Sequence, residues 1–373
     1  MKIILQASRI LVGVLFIFSG LIKANDPAGL SYKMQEFFEV WGLHGFNDYT
    51  LTLSVLMIAF EIIAGVAVLL GWQFSLFSWL LLILIVFFTF LTGYALFSGK
   101  IRECGCFGDC IKLTADESFV KDIILLILIG LLLIYQKNIK PMFGDVASLG
   151  VLLLTAAASF GLQAYVLKYL PLVDCLPYKI GSNISENMKI PVGSIPDSTV
   201  INFVYLKDGK EVEFDAGSFP DDFNDSTYQF VKRYDKVVRI GNAQPPIKDF
   251  VIISQTGNDT TKAILEKEGR ILVVFSKSLP KDTRKWGWVD EFKSLREKAD
   301  KSNIPIIWVS SDADNLAEGL ATLGMQQMVV MKGDAVAIKT AARVDPSIYL
   351  LNKGTIEGKW SYADFSKVAS AFY

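Results

Sequence analysis

Five apolar runs decide most of what this chain can fold into. Ile10–Ile22, Leu51–Leu70, Phe74–Phe97, Ile123–Tyr135 and Val146–Leu167 hold a single acid or base between them, Glu61. Most approach the ~20 residues that carry a helix across a hydrocarbon core. Lipid offers the backbone no hydrogen bonds, so a helix, which satisfies its own, is the form such a run takes. The expected fold is an all-α transmembrane bundle of about five helices over residues 1–170. Its fourth helix starts near Phe119, with Lys121 and Asp122 at its outer end. The first run, preceded by Lys2 and Arg9, could serve as a signal peptide, but Ile22-Lys23-Ala24 provides no small-x-small cleavage site. It is expected to stay as a span.

Past Leu170 the composition becomes soluble. Residues 171–244 are rich in Gly, Pro, Asp and Asn and contain a hairpin pattern, Val200–Leu206 and Glu211–Phe214 around Lys207-Asp-Gly-Lys210. This segment is expected to be a small β-rich connector. Over 245–373 strand and helix patterns alternate: Ile271–Phe275, Trp286–Lys301, Ile304–Ser310, Asn315–Leu323, Gln327–Met331, then Ser347–Leu351 and Thr355–Lys359 about a tight Asn-Lys-Gly turn. That order predicts an α/β layer with an antiparallel edge. With 37 basic and 38 acidic residues and no basic patch, nucleic acid is not an expected partner.

Lys and Arg near the span ends orient the bundle. Lys2, Arg9, Lys137 and Lys140 lie on one side with few acids, whereas Lys23, Lys33, Lys100, Arg102 and Lys112 lie in longer loops among acids. The amino terminus is therefore expected inside. Five spans then put everything beyond the last one outside the cytoplasm.

That topology gathers the four cysteines into one oxidising compartment. Three of them fall in Cys104-Gly-Cys-Phe-Gly-Asp-Cys110, and Cys175 follows the fifth run by a few residues. Four cysteines allow three full pairings. A Cys104–Cys106 bridge would close a very small, strained and reducible ring, which suits an exchanging pair. Cys110 would then resolve or pair with Cys175. The other readings are inert bridges that staple the loop, or a soft four-sulfur metal site, although the usual C-x-x-C spacing is missing. Glu61 is costly in lipid. It either fixes the bundle through a buried ion pair with Arg9 or Lys23, or handles protons for a bound quinone.

Residues 1–140 resemble the DoxX and MauE group of membrane proteins, through Arg9 and Gly13, Ser19-Gly-Leu-Ile-Lys23, Asp26-Pro27, Glu61 and Cys104-Gly-Cys-Phe-Gly108. The resemblance implies a helical bundle engaged in thiol redox work outside the cytoplasm. MauE-type proteins accompany a thioredoxin-like partner in maturing a disulfide-rich protein, and the DoxX side includes quinone-linked oxidation. Residues 245–373 resemble a thioredoxin-like fold, in which Asp345-Pro346 would be the cis-proline before a strand, a turn and the last strand. Where that fold carries Cys-x-x-Cys, this chain reads Ser276-Lys-Ser-Leu-Pro-Lys281, so the domain is redox-silent. Pro346, with Trp286 and Trp288 near the missing cysteines, is the expected partner-binding edge.

Two functions follow. One is extracytoplasmic thiol and disulfide handling at a bacterial inner membrane, with Cys104, Cys106, Cys110 and Cys175 relaying electrons, the quinone as acceptor, and a periplasmic C-terminal domain holding a protein partner. The other is a non-enzymatic scaffold subunit of an envelope complex with structural disulfides.

Overall fold

The computed structural model describes residues 2–99, 101, 105, 107–196, 198–224, 226–239, 241 and 243–373. Among the described residues, six α-helices form the amino-terminal half: α1 (Lys2–Ala24), α2 (Pro27–Val40), α3 (Thr50–Leu70), α4 (Phe74–Ser98), α5 (Ala115–Ile134) and α6 (Asp145–Tyr169). Among the described residues, four segments are long and apolar enough to cross a membrane: Lys2–Ala24, His44–Leu70, Phe74–Ser98 and Asp145–Tyr169. By length and apolar content the five expected spans are corrected to four. The helix that drops out is α5, whose first two turns carry Asp116, Glu117, Lys121 and Asp122 and leave only Ile123–Ile134 free of charge. It still packs in the bundle, burying Leu125, Ile129 and Leu132 against α1 and α4.

Small residues let α1 and α3 approach closely. A Cβ on Gly65 would stand 2.9 Å from the Gly13 carbonyl oxygen, the kind of contact that drives helix association where no hydrophobic effect acts. Arg9 closes one end of this pair. Its guanidinium donates to the carbonyls of Val68 (2.9 Å), Leu69 and, at 3.3 Å, Lys140. The first two are among the last carbonyls of α3, which lack the regular helical donor four residues on and carry the negative end of the helix dipole. At the other end the chain turns into α2, in a segment expected to be a loop. Asp26 caps it, accepting from the Gly29 N–H at 3.0 Å, and Pro27 occupies its first position.

Among the described residues the carboxy-terminal half holds two sheets. β1 (Ser198–Lys207), β2 (Lys210–Asp215) and β3 (Tyr228–Arg239) form the first, antiparallel in the order β2-β1-β3. The β1–β2 hairpin has the expected register, Lys207 opposite Lys210, with Asp208 and Gly209 both at positive φ as a two-residue turn of this hand requires. The second sheet comprises β4 (Ile252–Ile253), β5 (Arg270–Ser276), β6 (Ile306–Ser310), β7 (Val329–Gly333), β8 (Ser347–Asn352) and β9 (Thr355–Ser361), in the order β4-β7-β6-β5-β8-β9. β5, β6 and β7 run parallel; β8, β9 and β4 run antiparallel to their neighbours.

The central strand β5 shows why its sequence is a continuous apolar run. Ile271, Val273 and Phe275 face one core and Leu272 and Val274 face the other, since successive side chains alternate across a sheet. Helices α7 (Val289–Lys301) and α8 (Ala313–Thr322) cover the second face. α9 (Ala335–Ala341) covers the first.

The expected boundary near residue 244 is not a packing boundary. Tyr178 and Ile184 are fully buried in the core of the C-terminal domain beside Ile247 and Phe250. The Gly181 N–H donates to Ile356 at 2.8 Å, and the Ile247 N–H donates to Asn187 at 2.9 Å. Residues 178–188 thus belong to the C-terminal domain, and the three-stranded sheet is an insertion between them and Ile247.

Candidate functional site

A disulfide joins Cys110, just before α5, to Cys175, just after α6, with the Cα atoms 4.9 Å apart. The bond ties together two segments at one end of the bundle. Cys110 is exposed and Cys175 half-buried, and because their sulfurs are bonded to each other they cannot serve as two thiolates of a four-sulfur metal site. Cys104 and Cys106 lie outside the described residues. Among the described residues no group of His, Cys, Asp and Glu is arranged to hold a metal.

Each bridged cysteine follows an aspartate, and both aspartates grip the C-terminal domain. Asp109 pairs with Arg343, and Asp174 accepts from Lys359 Nζ at 2.8 Å. The side chains of both bases are nearly sealed, 6% and 3% exposed. Asp26, at the head of α2, makes a second contact to Arg343 Nε at 2.9 Å, ionic and off the hydrogen-bond line. Asn25 exchanges two hydrogen bonds with the Val173 backbone, 2.8 and 3.0 Å. Tyr32 of α2 completes the seat. Arg343, Lys277 and Lys339 lie 5.2 to 5.6 Å from its ring, and Lys277 Nζ donates to its hydroxyl at 2.8 Å.

The face that sits here is made by the end of β5 and by the Asp345–Pro346 segment, whose peptide bond is cis. The Lys277 N–H donates to both Asp345 carboxylate oxygens at 3.1 and 3.2 Å. Pro346 is buried. Trp286 and Trp288 do not offer the exposed aromatic surface expected of them: they are 4% and 6% exposed and stacked at 5.3 Å in the core. Trp286 Nε1 donates to the Pro280 carbonyl at 2.8 Å, so the pair shapes the loop after β5 from beneath. Arg343 went unnoticed in the sequence. The one signal that could have found its partner is the repeated Asp-Cys pair at 109–110 and 174–175.

Burial sets the electrostatics of the seat. It pushes the carboxyls of Asp26 and Asp345 above the usual range, against the opposing pull of Arg343 on the first and of Lys277 on the second. It draws the Lys359 ammonium below the usual lysine value despite Asp174. Because native Asp345 holds its proton to higher pH than the unfolded chain does, its contribution to stability falls as pH rises from the ordinary carboxylate range through its raised pKa. Asp345→Asn keeps an acceptor for the Lys277 N–H and removes that loss. The variant is expected to melt higher than the parent at neutral pH, with the difference vanishing in acid; thermal melts across pH check this.

Glu61 of α3 is fully buried and paired with Lys23 of α1, with Ser19 Oγ donating to its other oxygen at 3.2 Å. Lys23, read from the sequence as a residue of the span's exit, faces into the bundle. Beside this pair lie Phe88, Lys121 and Asp122, lining a cavity of about 20 Å³. That is room for about one water.

Residues 1–135 match the family described as methylamine utilisation protein MauE. Residues 199–239, the inserted sheet, match a domain of unknown function (DUF8463). No curated protein and no solved structure matches the chain. With four apolar helices to cross the bilayer, this is a membrane protein whose amino-terminal bundle, over residues 1–135, is similar to the MauE family.

Proposed function

We propose that the chain is a bacterial inner-membrane protein of thiol and disulfide exchange, with its cysteines and C-terminal domain on the outer side; in this placement α5 makes a fifth crossing, since the Cys110–Cys175 bond joins the chain before α5 to the chain after α6 and so calls for both helices to cross. In this reading the C-terminal domain is thioredoxin-like and redox-silent, and it clamps the cysteine-bearing end of the bundle. The likeness is supported by the order β6-β5-β8-β9 with its antiparallel edge and by the cis Asp345–Pro346 bond beside the end of β5. One observation carries the reading. The face on which a redox-active relative would hold its substrate is here seated on the chain's own cysteine loop, through Arg343 to Asp109, and on the neighbouring α2, through Lys277 to Tyr32.

The exchanging pair is Cys104 and Cys106. A client thiolate attacks one sulfur of their bridge, the Cys104–Cys106 bond breaks, and the leaving thiolate takes a proton. The second client thiol resolves the mixed disulfide and releases the other cysteine as a thiol. Two electrons pass from client to pair, and the disulfide of a thioredoxin-class partner protein re-forms the bridge by the reverse exchange.

The Cys110–Cys175 bond favours a second reading, a scaffold whose disulfides only brace the junction. Mass-tag alkylation of the full chain through graded reductant separates the two. Exchange predicts that Cys104 and Cys106 are tagged first, and that the Cys104→Ser/Cys106→Ser double variant no longer oxidises a reduced dithiol peptide. If those cysteines resist mild reductant and the double variant oxidises the peptide as the parent does, the exchange reading is lost. A reporter fused after Tyr373 that is active only in the cytoplasm would overturn the outer placement.

A further inference from the structure

The two carboxylates that hold the C-terminal domain are neighbours of the disulfide in both senses. Asp109 precedes Cys110 and grips Arg343; Asp174 precedes Cys175 and grips Lys359. The bond therefore fixes the spacing of two anions that must meet two buried cations at once. Buried cations tolerate no other arrangement cheaply, because a base that loses its partner keeps the cost of burial without the attraction that offset it. The bond is also reachable. Cys110 is exposed and Cys175 half-buried, whereas the groups it controls, Arg343, Lys359 and Pro346, are sealed.

A bond that is accessible, with a sealed interface depending on it, is the arrangement of a latch. We propose that Cys110–Cys175 is a second exchange site, opened by the dithiol of a thioredoxin-class protein, and that its opening unseats the C-terminal domain and frees the Lys277–Pro346 face for an extended peptide. One donor thiolate attacks a sulfur of the bond, the other sulfur leaves and is protonated, and the donor's second thiol closes the donor disulfide. The protein gains two thiols and the donor loses two electrons. Asp109 and Asp174 are then no longer held together, and the grip on Arg343 and Lys359 is lost with their spacing. This inference rests on the two Asp-Cys segments and stands whether or not Cys104 and Cys106 exchange.

Amide hydrogen exchange on the full chain in lipid nanodiscs, read before and after treatment with reduced thioredoxin, tests the latch. Mass tags on the same samples report which cysteines have opened. Opening of Cys110 and Cys175 is expected to speed exchange about tenfold or more across residues 26–35 and 339–346, as a local release does, and reoxidation is expected to restore protection. An Asp109→Asn/Asp174→Asn variant, which keeps the bond and removes both grips, is expected to exchange fast without reductant. The proposal fails if both cysteines are tagged and protection is unchanged. It fails equally if no dithiol opens the bond in folded protein, which would make it a permanent brace. Loss of protection in a variant that opens only Cys104 and Cys106 would assign the latch to the other pair and overturn it.

Discussion

Glu61→Ala is expected to destabilise the membrane bundle by about 3–5 kcal/mol, the range for removing one partner of a buried ion pair. The side chains of Lys23 and Glu61 are each 1% exposed, so the abandoned ammonium is left with little more than the water-sized cavity beside it. The Phe88 ring lies 4.9 Å away, and a cation over an aromatic face gains only about 0.5–2 kcal/mol. Ser19 also loses an acceptor. Glu61→Gln is expected to cost less, since the amide oxygen still accepts from Lys23. Replacing both partners with apolar residues, Lys23→Met with Glu61→Leu, is expected to recover most of the loss, because the penalty lies in the orphaned charge. Thermal unfolding of purified protein in detergent measures all three. A double variant no more stable than Glu61→Ala alone would show that the pair contributes something other than charge balance. If Glu61→Ala melts with the parent, the pair is not holding α1 to α3.

Glu61 also marks how far the sequence could be read. Its cost in lipid singled it out and left two candidate partners, Arg9 and Lys23: Lys23 sits where an apolar run ends, a position that reads as interfacial, and only the continuation of α1 to Ala24 turns it inward and decides between them. The apolar runs were legible because lipid imposes their length. α5 was not, because packing against α1 and α4 supports a helix whose first turns are charged, something composition does not distinguish from a span. In the C-terminal domain the strands β5, β8 and β9 follow from apolar content and from the Asn352-Lys353-Gly354 turn, where Lys353 and Gly354 both take positive φ. The strand β3 escaped because Lys232-Arg233-Tyr234-Asp235 has no apolar face to betray it, and its register comes from β1 alone. The assignment of Tyr178 and Ile184 to the C-terminal core depends on contacts with residues 354–356, far along the chain. The seat is the least legible part. Arg343 meets Asp26 and Asp109 across more than two hundred residues of sequence, and no local pattern announces such a meeting.

Arg343→Ala is expected to loosen the C-terminal domain from the bundle by about 3 kcal/mol, the low end for a broken buried pair because Asp109 keeps 27% of its side chain in water. Two carboxylates lose one guanidinium. Asp26, only 13% exposed, is left beside Asp109, whose charge already works against its ionisation. Arg343→Lys is not expected to rescue, since one ammonium cannot reproduce a planar fork that meets two acids from two directions. Adding Asp109→Asn in the Arg343→Ala background is expected to cost much less than in the parent. The shortfall measures the coupling of the pair. The pH response has a definite sign. Native Asp26 holds its proton above the pH at which the unfolded chain gives it up, so between those two values stability falls as pH rises; removing Arg343 lifts the native value further and widens the window upward. Proteolytic release of the C-terminal domain from membranes, followed across pH, should therefore show the variant weakest relative to the parent near neutrality and closest to it in acid. A variant released equally at every pH would mean that Arg343 acts by shape, through its packing on Tyr32, rather than by charge.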